Sequence, residues 1–374
     1  MSASCALLEF SPVKFHRPLH SPSRIRVSTT SGTTRALPAL AVVPVLAAAV
    51  LAGCGASPEA KIEEAGGEAA ANMGSAEPAH SPTAAHPAGE VVDFEAVRDL
   101  DATDGVIGVR TDSALITGTL EDIRAGKGDR HELDSSCGEA SANAGTFAVA
   151  CNGEIRLFGA QEQTIPTDRP VTVATVVSSG EVLAASDSER KVWVFRDGEL
   201  ADTFDVARET DQLQAARVDG QADSVVRTNR FDTTIQDLDW QGKRQGGTLR
   251  VGLGVGKIAA GDGGLVLAAD STGSQLCVYT TDSIVRLQQT APVPDGPWDV
   301  AWDPAQRLAW VSSLAVNTAT GYDISQGVPL KRAEFPTVAD AQSIIALDDG
   351  TVVAASATGG GIQIVPPGEQ TRNS

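Results

Sequence analysis

VLAAS, residues 182–186, recurs as VLAAD at 266–270 and as VVAAS at 352–356. Ten residues after each opening valine a second short run begins: Val192-Trp-Val-Phe195, Leu276-Cys-Val-Tyr279 and Ile362-Gln-Ile-Val365. The same interval separates Val225 from Ile235, so four copies share one hairpin geometry. Weaker copies start at Ile107, Phe147 and Leu308, the last within RLAWVSSLAVNTATGYDI, residues 307–324. The seven starts are spaced 40, 35, 43, 41, 42 and 44 residues apart.

A period of about 40 to 45 residues built from short strands is the signature of propeller blades, each a four-stranded antiparallel sheet. The expected fold is all-β: a seven-bladed β-propeller, with six and eight bracketing the count. The Ala-Ala pairs have a steric reason. Where neighbouring sheets meet face to face near the axis, both faces of a strand are buried and side chains must be small. Asp197-Gly198, Asp262-Gly263-Gly264 and Asp349-Gly350 fall between runs, as hairpin turns require.

Closure of the ring follows from proline. The last copy runs through 341–348, 351–356 and 362–365 and then meets Pro366-Pro367. Proline cannot donate to a ladder, so the outer strand of that blade has to come from upstream, and Val91-Val92-Asp93-Phe94 is the candidate. The propeller domain is therefore expected over 90–374.

Composition suits this reading. Of 374 residues, 42% are apolar and 21% charged, ordinary for a globular chain. The formal charge is −19, and the first 53 residues hold five basic residues against one acid, leaving −23 for the remainder. That field repels nucleic acid phosphates and anionic membrane surfaces, so no nucleic acid partner is expected.

Residues 1–53 read as a signal peptide. Arg24, Arg26 and Arg35 precede ALPALAVVPVLAAAVLAGC, whose apolar part, 36–53, is interrupted by two prolines. A spanning helix needs about 20 apolar residues, so this is an export h-region instead. The first 26 residues are unlike a signal, which places the true start near Val27. Leu51-Ala52-Gly53-Cys54 resembles a bacterial lipobox. That resemblance implies cleavage before Cys54, acylation of its thiol and amine, and anchoring at the extracytoplasmic face of the cell membrane; two or more chains hold stably without a transmembrane helix. Residues 54–89, rich in Ala, Gly, Glu, Pro and Ser, read as a disordered tether reaching roughly 30 to 36 Å. His80 and His86 within it are incidental.

Cysteine usage agrees with export. Cys137 and Cys151 flank Asn143-Ala144-Gly145 symmetrically, so in a hairpin turning there they oppose one another closely enough to bridge. Cys277 is left over as a packed thiol, at the place Trp193 holds in another copy.

Motifs for chemistry are sparse. Past the tether the one histidine is His131, which argues against a His-based triad or zinc centre. Gly252-Leu-Gly254-Val-Gly256-Lys257 departs from phosphate-loop spacing, which needs glycine at 251 and Ser or Thr at 258 where valine and isoleucine stand. Asp99-Leu-Asp101-Ala-Thr-Asp104-Gly105 puts its third acid one place late for a calcium loop and lacks the terminal glutamate, so it reads as an acidic turn. No catalytic residue, metal ligand or cofactor is expected.

Trp298-Asp299 and Trp302-Asp303 sit at the start of a blade and occur once, unlike WD repeats. PWDVAWDPAQRLAWVSS is instead similar to the YVTN class of bacterial propellers. More narrowly, residues 308–338, the lipobox at Leu51–Cys54 and ADSTGSQLCVY at 269–279 resemble the actinobacterial prolipoprotein LppL family. The resemblance is specific in the last third of the chain, and the early blades and the Cys137, Cys151 pair find no clear counterpart. It implies an exported lipoprotein propeller and carries over no activity and no catalytic residues.

The functional expectation is a non-enzymatic binding or scaffold protein of the envelope, taking a protein or a small ligand. Propellers recognise partners with loops at the channel ends. The loops after the second strand of each blade hold Asp187, Arg190, Arg227, Asn229, Arg230, Asp270 and Asn317, with Trp298 as aromatic anchor, and these eight are the candidate binding mouth. The competing class is a lactonase or sugar-dehydrogenase type enzyme with a metal or cofactor in the channel. An aromatic content of 4% makes a carbohydrate-stacking cleft unattractive.

Overall fold

The computed structural model describes residues 74–84 and 86–372. The expected signal peptide, the expected lipidation site Cys54 and the first part of the expected tether lie outside the described residues. Seven antiparallel sheets form a β-propeller, with blades at 97–132, 140–166, 173–205, 212–250, 255–292, 297–336 and 341–365. All seven sequence starts fall in the second strand of a blade, from Val106–Thr111 in the first to Val352–Ser356 in the last. The ten-residue interval is the tight hairpin between second and third strands, as in Val182 opposite Phe195 and Leu267 opposite Val278.

Small side chains let the sheets approach. Ala184 packs into the seam between blades 2 and 3, while its neighbour Ala185 points the other way into the seam between blades 3 and 4. The same alternation produces seven apolar seams, one per blade boundary. Each large aliphatic side chain removed from water contributes about 1.5 to 3 kcal/mol. These seams, not the hairpins, therefore hold the ring.

Turn chemistry matches the backbone. Asp104-Gly105, Ala144-Gly145 and Asp197-Gly198 each have positive φ at both positions, the geometry that tightly twisted two-residue hairpins require. The Asp99 to Gly105 run is thus an inner strand, Val97–Thr103, ending in a hairpin turn. The predicted disulfide is present: Cys137 and Cys151 are joined across the hairpin Ala140–Asn143/Thr146–Cys151, with a Cα–Cα distance of 4.1 Å. Buried Arg110 closes over the same corner, donating to the carbonyls of Gly138 (3.1 Å), Asp134 (3.2 Å) and Cys137 (2.8 Å).

The ring closes as the prolines require. Glu90–Val92 pairs antiparallel with Ile362–Val365, Val91 lying opposite Gln363, so a segment from before the first blade completes the seventh. Asp93 and Phe94 lie past the strand end. After Pro366 the chain turns at Pro367–Glu369 and adds Thr371–Arg372 to the outer edge of blade 6 as a fifth strand. Among the described residues no helix is long and apolar enough to cross a membrane, and the one α-helix is Leu120–Arg124.

Described residues of the expected tether do not stand away from the propeller. From Gly74 to Ala88 the chain lies against blades 4 to 7. The Gly74 amide donates to the Phe231 carbonyl (3.1 Å) and the Ala88 amide to Pro336 (3.0 Å). Ala76 and Ala79 pack on Trp298 and Leu314.

Candidate functional site

First strands of all seven blades surround a central channel of about 410 Å³. Their N-terminal ends open on the face that carries the linkers between blades, called here the linker face. At that end four inner strands contain a β-bulge, between Val97 and Asp99, Val255 and Ile258, Pro297 and Asp299, and Ala341 and Ser343. A bulge re-aims the side chain beside it. Here it coincides with Asp99, Lys257, Asp299 and Ser343 being gathered at one level of the channel.

Lys257 crosses the channel. Its Nζ donates to Asp99 Oδ1 at 2.6 Å, to Ser343 Oγ at 3.3 Å and to the Arg98 carbonyl at 3.4 Å, with Glu139 Oε1 3.8 Å away. Asp299 accepts from the Val300 amide (2.7 Å) with one oxygen and the Ile344 amide (2.8 Å) with the other. Asp99, Lys257 and Asp299 are 5–6% exposed. Four carboxylates, Asp99, Asp101, Glu139 and Asp299, thus converge on one cation.

Electrostatics follow from that excess. Burial pushes the Asp299 carboxyl up to about 7, against the attraction of Lys257. It pushes Asp99 up to about 6 in the same way, with Glu139 adding repulsion. Asp101, half-buried one pleat deeper, is held well above the ordinary range by burial and by Asp99. Burial alone would depress the Lys257 ammonium, but Asp99, Glu139 and Asp299 outweigh it and keep the group charged.

The acids at the opposite end are exposed. Asp104, Asp262 and Asp348 line it with Arg217, whose Nε donates to Asn143 Oδ1 at 3.2 Å. Trp302 stands there too, its indole N–H donating to Asp262 Oδ2 at 2.9 Å. The channel is therefore a cup, tight and salt-bridged at the linker face and open and acidic at the other.

Sequence reading placed recognition on the linker-face loops, and the structure shows how those eight residues are used. Arg227 is buried and donates to Gln236 Oε1 (2.7 Å) and the Glu209 carbonyl (3.0 Å); burial lowers its pKa to about 10. Asn229 caps the same carbonyl (3.1 Å). Asp270 is buried, one oxygen accepting from the amides of Leu253, Gly254 and Gly273 at 2.9 to 3.0 Å. That grip explains the glycine run: a Cβ on Gly252 would fall 1.7 Å from Asp270 Oδ2. Arg190 pairs with Glu209 (2.8 Å), and exposed Asp187 donates its amide to Thr172 (3.0 Å). Arg230 lies 5.7 Å over the Trp298 ring, and Asn317 donates to the Pro82 carbonyl (2.7 Å). Trp298 itself is buried.

Channel residues were present in the sequence only as rejected motifs. Asp99 and Asp101 belong to the failed calcium loop, Lys257 ends the failed phosphate loop, and Asp299 follows the tryptophan that fitted no WD repeat. A signal was available: Asp99, Lys257 and Asp299 each stand third in a blade's first strand, and Asp101 two places further on the same side of its own. His131 belongs to an outer strand, bonded to Thr117 Oγ1 (3.0 Å) and paired with Glu162 (2.9 Å). Cys277 is buried, its thiol pushed up to about 12. Among the described residues no group of three His, Cys, Asp or Glu side chains is arranged to hold a metal ion.

No family model matches the chain. No curated protein matches it either. Solved structures do. A chain from "Crystal Structure of Mitotic Checkpoint Complex" superposes with a TM-score of 0.59 at 14% identity, covering 87% of this chain and 98% of that one. The "WD40 beta propeller domain of Doa1" gives 0.54 at 13% identity over 74% and 96%. A chain of "Kuenenia stuttgartiensis Hydrazine Synthase" gives 0.57 at 12% over 75% and 98%. At such identities the likeness establishes the β-propeller fold and nothing about ligand or chemistry.

Proposed function

We propose that this chain is an exported, lipid-anchored β-propeller of the LppL kind, a non-enzymatic binding protein whose channel takes a small, positively charged ligand through its open end. One observation carries the channel reading: four carboxylates share a 410 Å³ cavity with the single contacting ammonium of Lys257. A cation entering there relieves repulsion that burial otherwise relieves by protonation. The anchoring part rests on the Leu51 to Cys54 lipobox.

Calorimetric titration with 1,4-diaminobutane, and separately with calcium, tests the channel. Saturable binding of one of them, lost in Asp101→Asn, supports the reading; no saturable binding of either overturns it. Membrane fractionation of the wild type against Cys54→Ser tests the anchor, and release of the variant into the soluble fraction is expected.

The raised carboxyls Asp99 and Asp299 favour a competing enzymatic reading, because perturbed acids in a cleft mark candidate catalytic groups. Both oxygens of Asp299 are held by backbone amides, however, which suits a structural carboxyl better than a proton donor. One tightly held divalent ion per purified chain would revive a lactonase or sugar-dehydrogenase reading.

A further inference from the structure

Residues 74–82 lie in a groove on the linker face that reads them as a peptide. Ser81 is the node: its hydroxyl bonds the Leu314 carbonyl (3.2 Å) and the Asn317 side-chain oxygen, and accepts from the Asp340 amide (2.8 Å). One residue on, Asn317 donates to the Pro82 carbonyl. Main-chain and hydroxyl groups are thus recognised with little use of large side chains. The floor is cut to match, since a Cβ on Gly296 would stand 2.7 Å from Ala79 Cβ and one on Gly254 3.2 Å from Ala76 Cβ. Ala76 and Ala79 then seal Trp298, with Leu314 beside it.

Three large apolar side chains beside this groove are exposed, and none of residues 74–82 covers them. Phe231 is 55% exposed, Leu253 45% and Val316 46%. Each adjoins a point where the strap is held: Phe231 accepts the Gly74 amide, Leu253 precedes Gly254, and Val316 precedes Asn317. The strap fills the floor and leaves the shoulders bare.

We propose that this groove is a peptide-docking surface, kept filled by residues 74–82 until a partner's extended segment displaces them. The partner segment has small residues at the two positions facing Trp298, Ser-Pro near its C-terminal end, and apolar side chains at outward positions that cover Phe231, Leu253 and Val316. Extended peptides bind in this way, with backbone hydrogen bonds giving affinity and small pockets giving register. A cis occupant lowers the partner's apparent affinity by the fraction of time the groove is filled. This surface is separate from the channel, so the fate of one reading leaves the other intact.

The test uses the full chain and a fluorescein-labelled peptide of residues 74–84, GSAEPAHSPTA. In the Ala79→Glu chain a charge over Trp298 expels the strap. Anisotropy titration is expected to give saturable binding at least tenfold tighter than to the unsubstituted chain, and none for a peptide carrying the same Ala79→Glu change. A cooperatively melting Ala79→Glu chain with no saturable binding overturns the proposal, as does equal binding of the two peptides. Dimerisation of the Ala79→Glu chain that excludes the peptide overturns it in favour of self-association. Should that variant not melt cooperatively, a protease site placed between Thr83 and His86 of the unsubstituted chain replaces it. After cleavage the released segment stays with the propeller on gel filtration if the groove binds peptide by itself, and loss of the segment overturns the proposal.

Discussion

Lys257 and Asp99 stand 158 residues apart in the chain and meet across the channel at 2.6 Å. Blade 5 is thereby tied to blade 1 through the middle of the ring, independently of the seams around its circumference. Removing one partner of a buried pair leaves an uncompensated charge, whereas removing both leaves only a packing change. Lys257→Met is therefore expected to cost about 3 to 5 kcal/mol in urea unfolding, and Lys257→Met combined with Asp99→Leu to recover part of it, the rest remaining because Asp101, Glu139 and Asp299 still lack the ammonium. An additive double variant would show that the two residues do not act as a pair.

Channel acids give the protein a pH dependence opposite in sign to that of surface carboxylates. Asp99 and Asp299 titrate at about 6 and 7 when folded, against an ordinary value of 3.8. The folded state binds more protons than the unfolded state between these limits, so stability falls as pH rises from about 4 to 7. Carboxyls held low by surface partners, such as Asp202 and Asp239, act at the acid side of that window. Thermal melts at pH 5 and pH 7 should differ in Tm in favour of pH 5, and Asp299→Asn should shrink the difference.

Gly89 occupies the left-handed region at φ +67, and a Cβ there would fall 2.1 Å from the Ile364 carbonyl oxygen. It is the hinge through which the strap enters the closing strand. Gly89→Ala should cost about 1 to 3 kcal/mol from backbone conformation alone. Hydrogen exchange localises the effect: amides of Ile362–Val365 should lose protection before those of blade 3.

Cys137 and Cys151 are bridged at a sequence separation of 14. Chain-entropy reasoning assigns such a crosslink about 3 kcal/mol. The Cys137→Ser, Cys151→Ser double variant should unfold at correspondingly lower urea concentration. The same variant should also free the 134–138 corner that Arg110 holds, read as faster exchange of the Gly138 amide.

Fold and closure could be read from sequence because both are carried by local pattern. Ala-Ala pairs, Asp-Gly turns and the Pro366-Pro367 stop each report a constraint acting within a few residues. The channel could not be read that way. Asp99, Lys257 and Asp299 become one site only when blades 1, 5 and 6 bring their inner strands together, and none of their local motifs carries that information. The linker-face loops stand out in the sequence because they are polar. Arg227, Asn229 and Asp270 are polar because linker-face carbonyls and amides need partners once buried, a demand of folding that composition does not distinguish from recognition. Residues 74–82 lack large apolar side chains and so read as tether, yet the Gly74 amide, the Ser81 hydroxyl and the Pro82 carbonyl fix them by hydrogen bonds over a glycine-cut floor.

Gln363 donates to the Ala88 carbonyl across 275 residues of sequence. The ribosome delivers one partner before the first blade and the other in the third strand of the seventh. Until that strand arrives six finished sheets stand in an unclosed circle with Glu90–Val92 unpaired, so Ile362–Val365 decides whether earlier work is locked or left to pair with a stranger. Mutations there should act on yield out of proportion to their small share of the core.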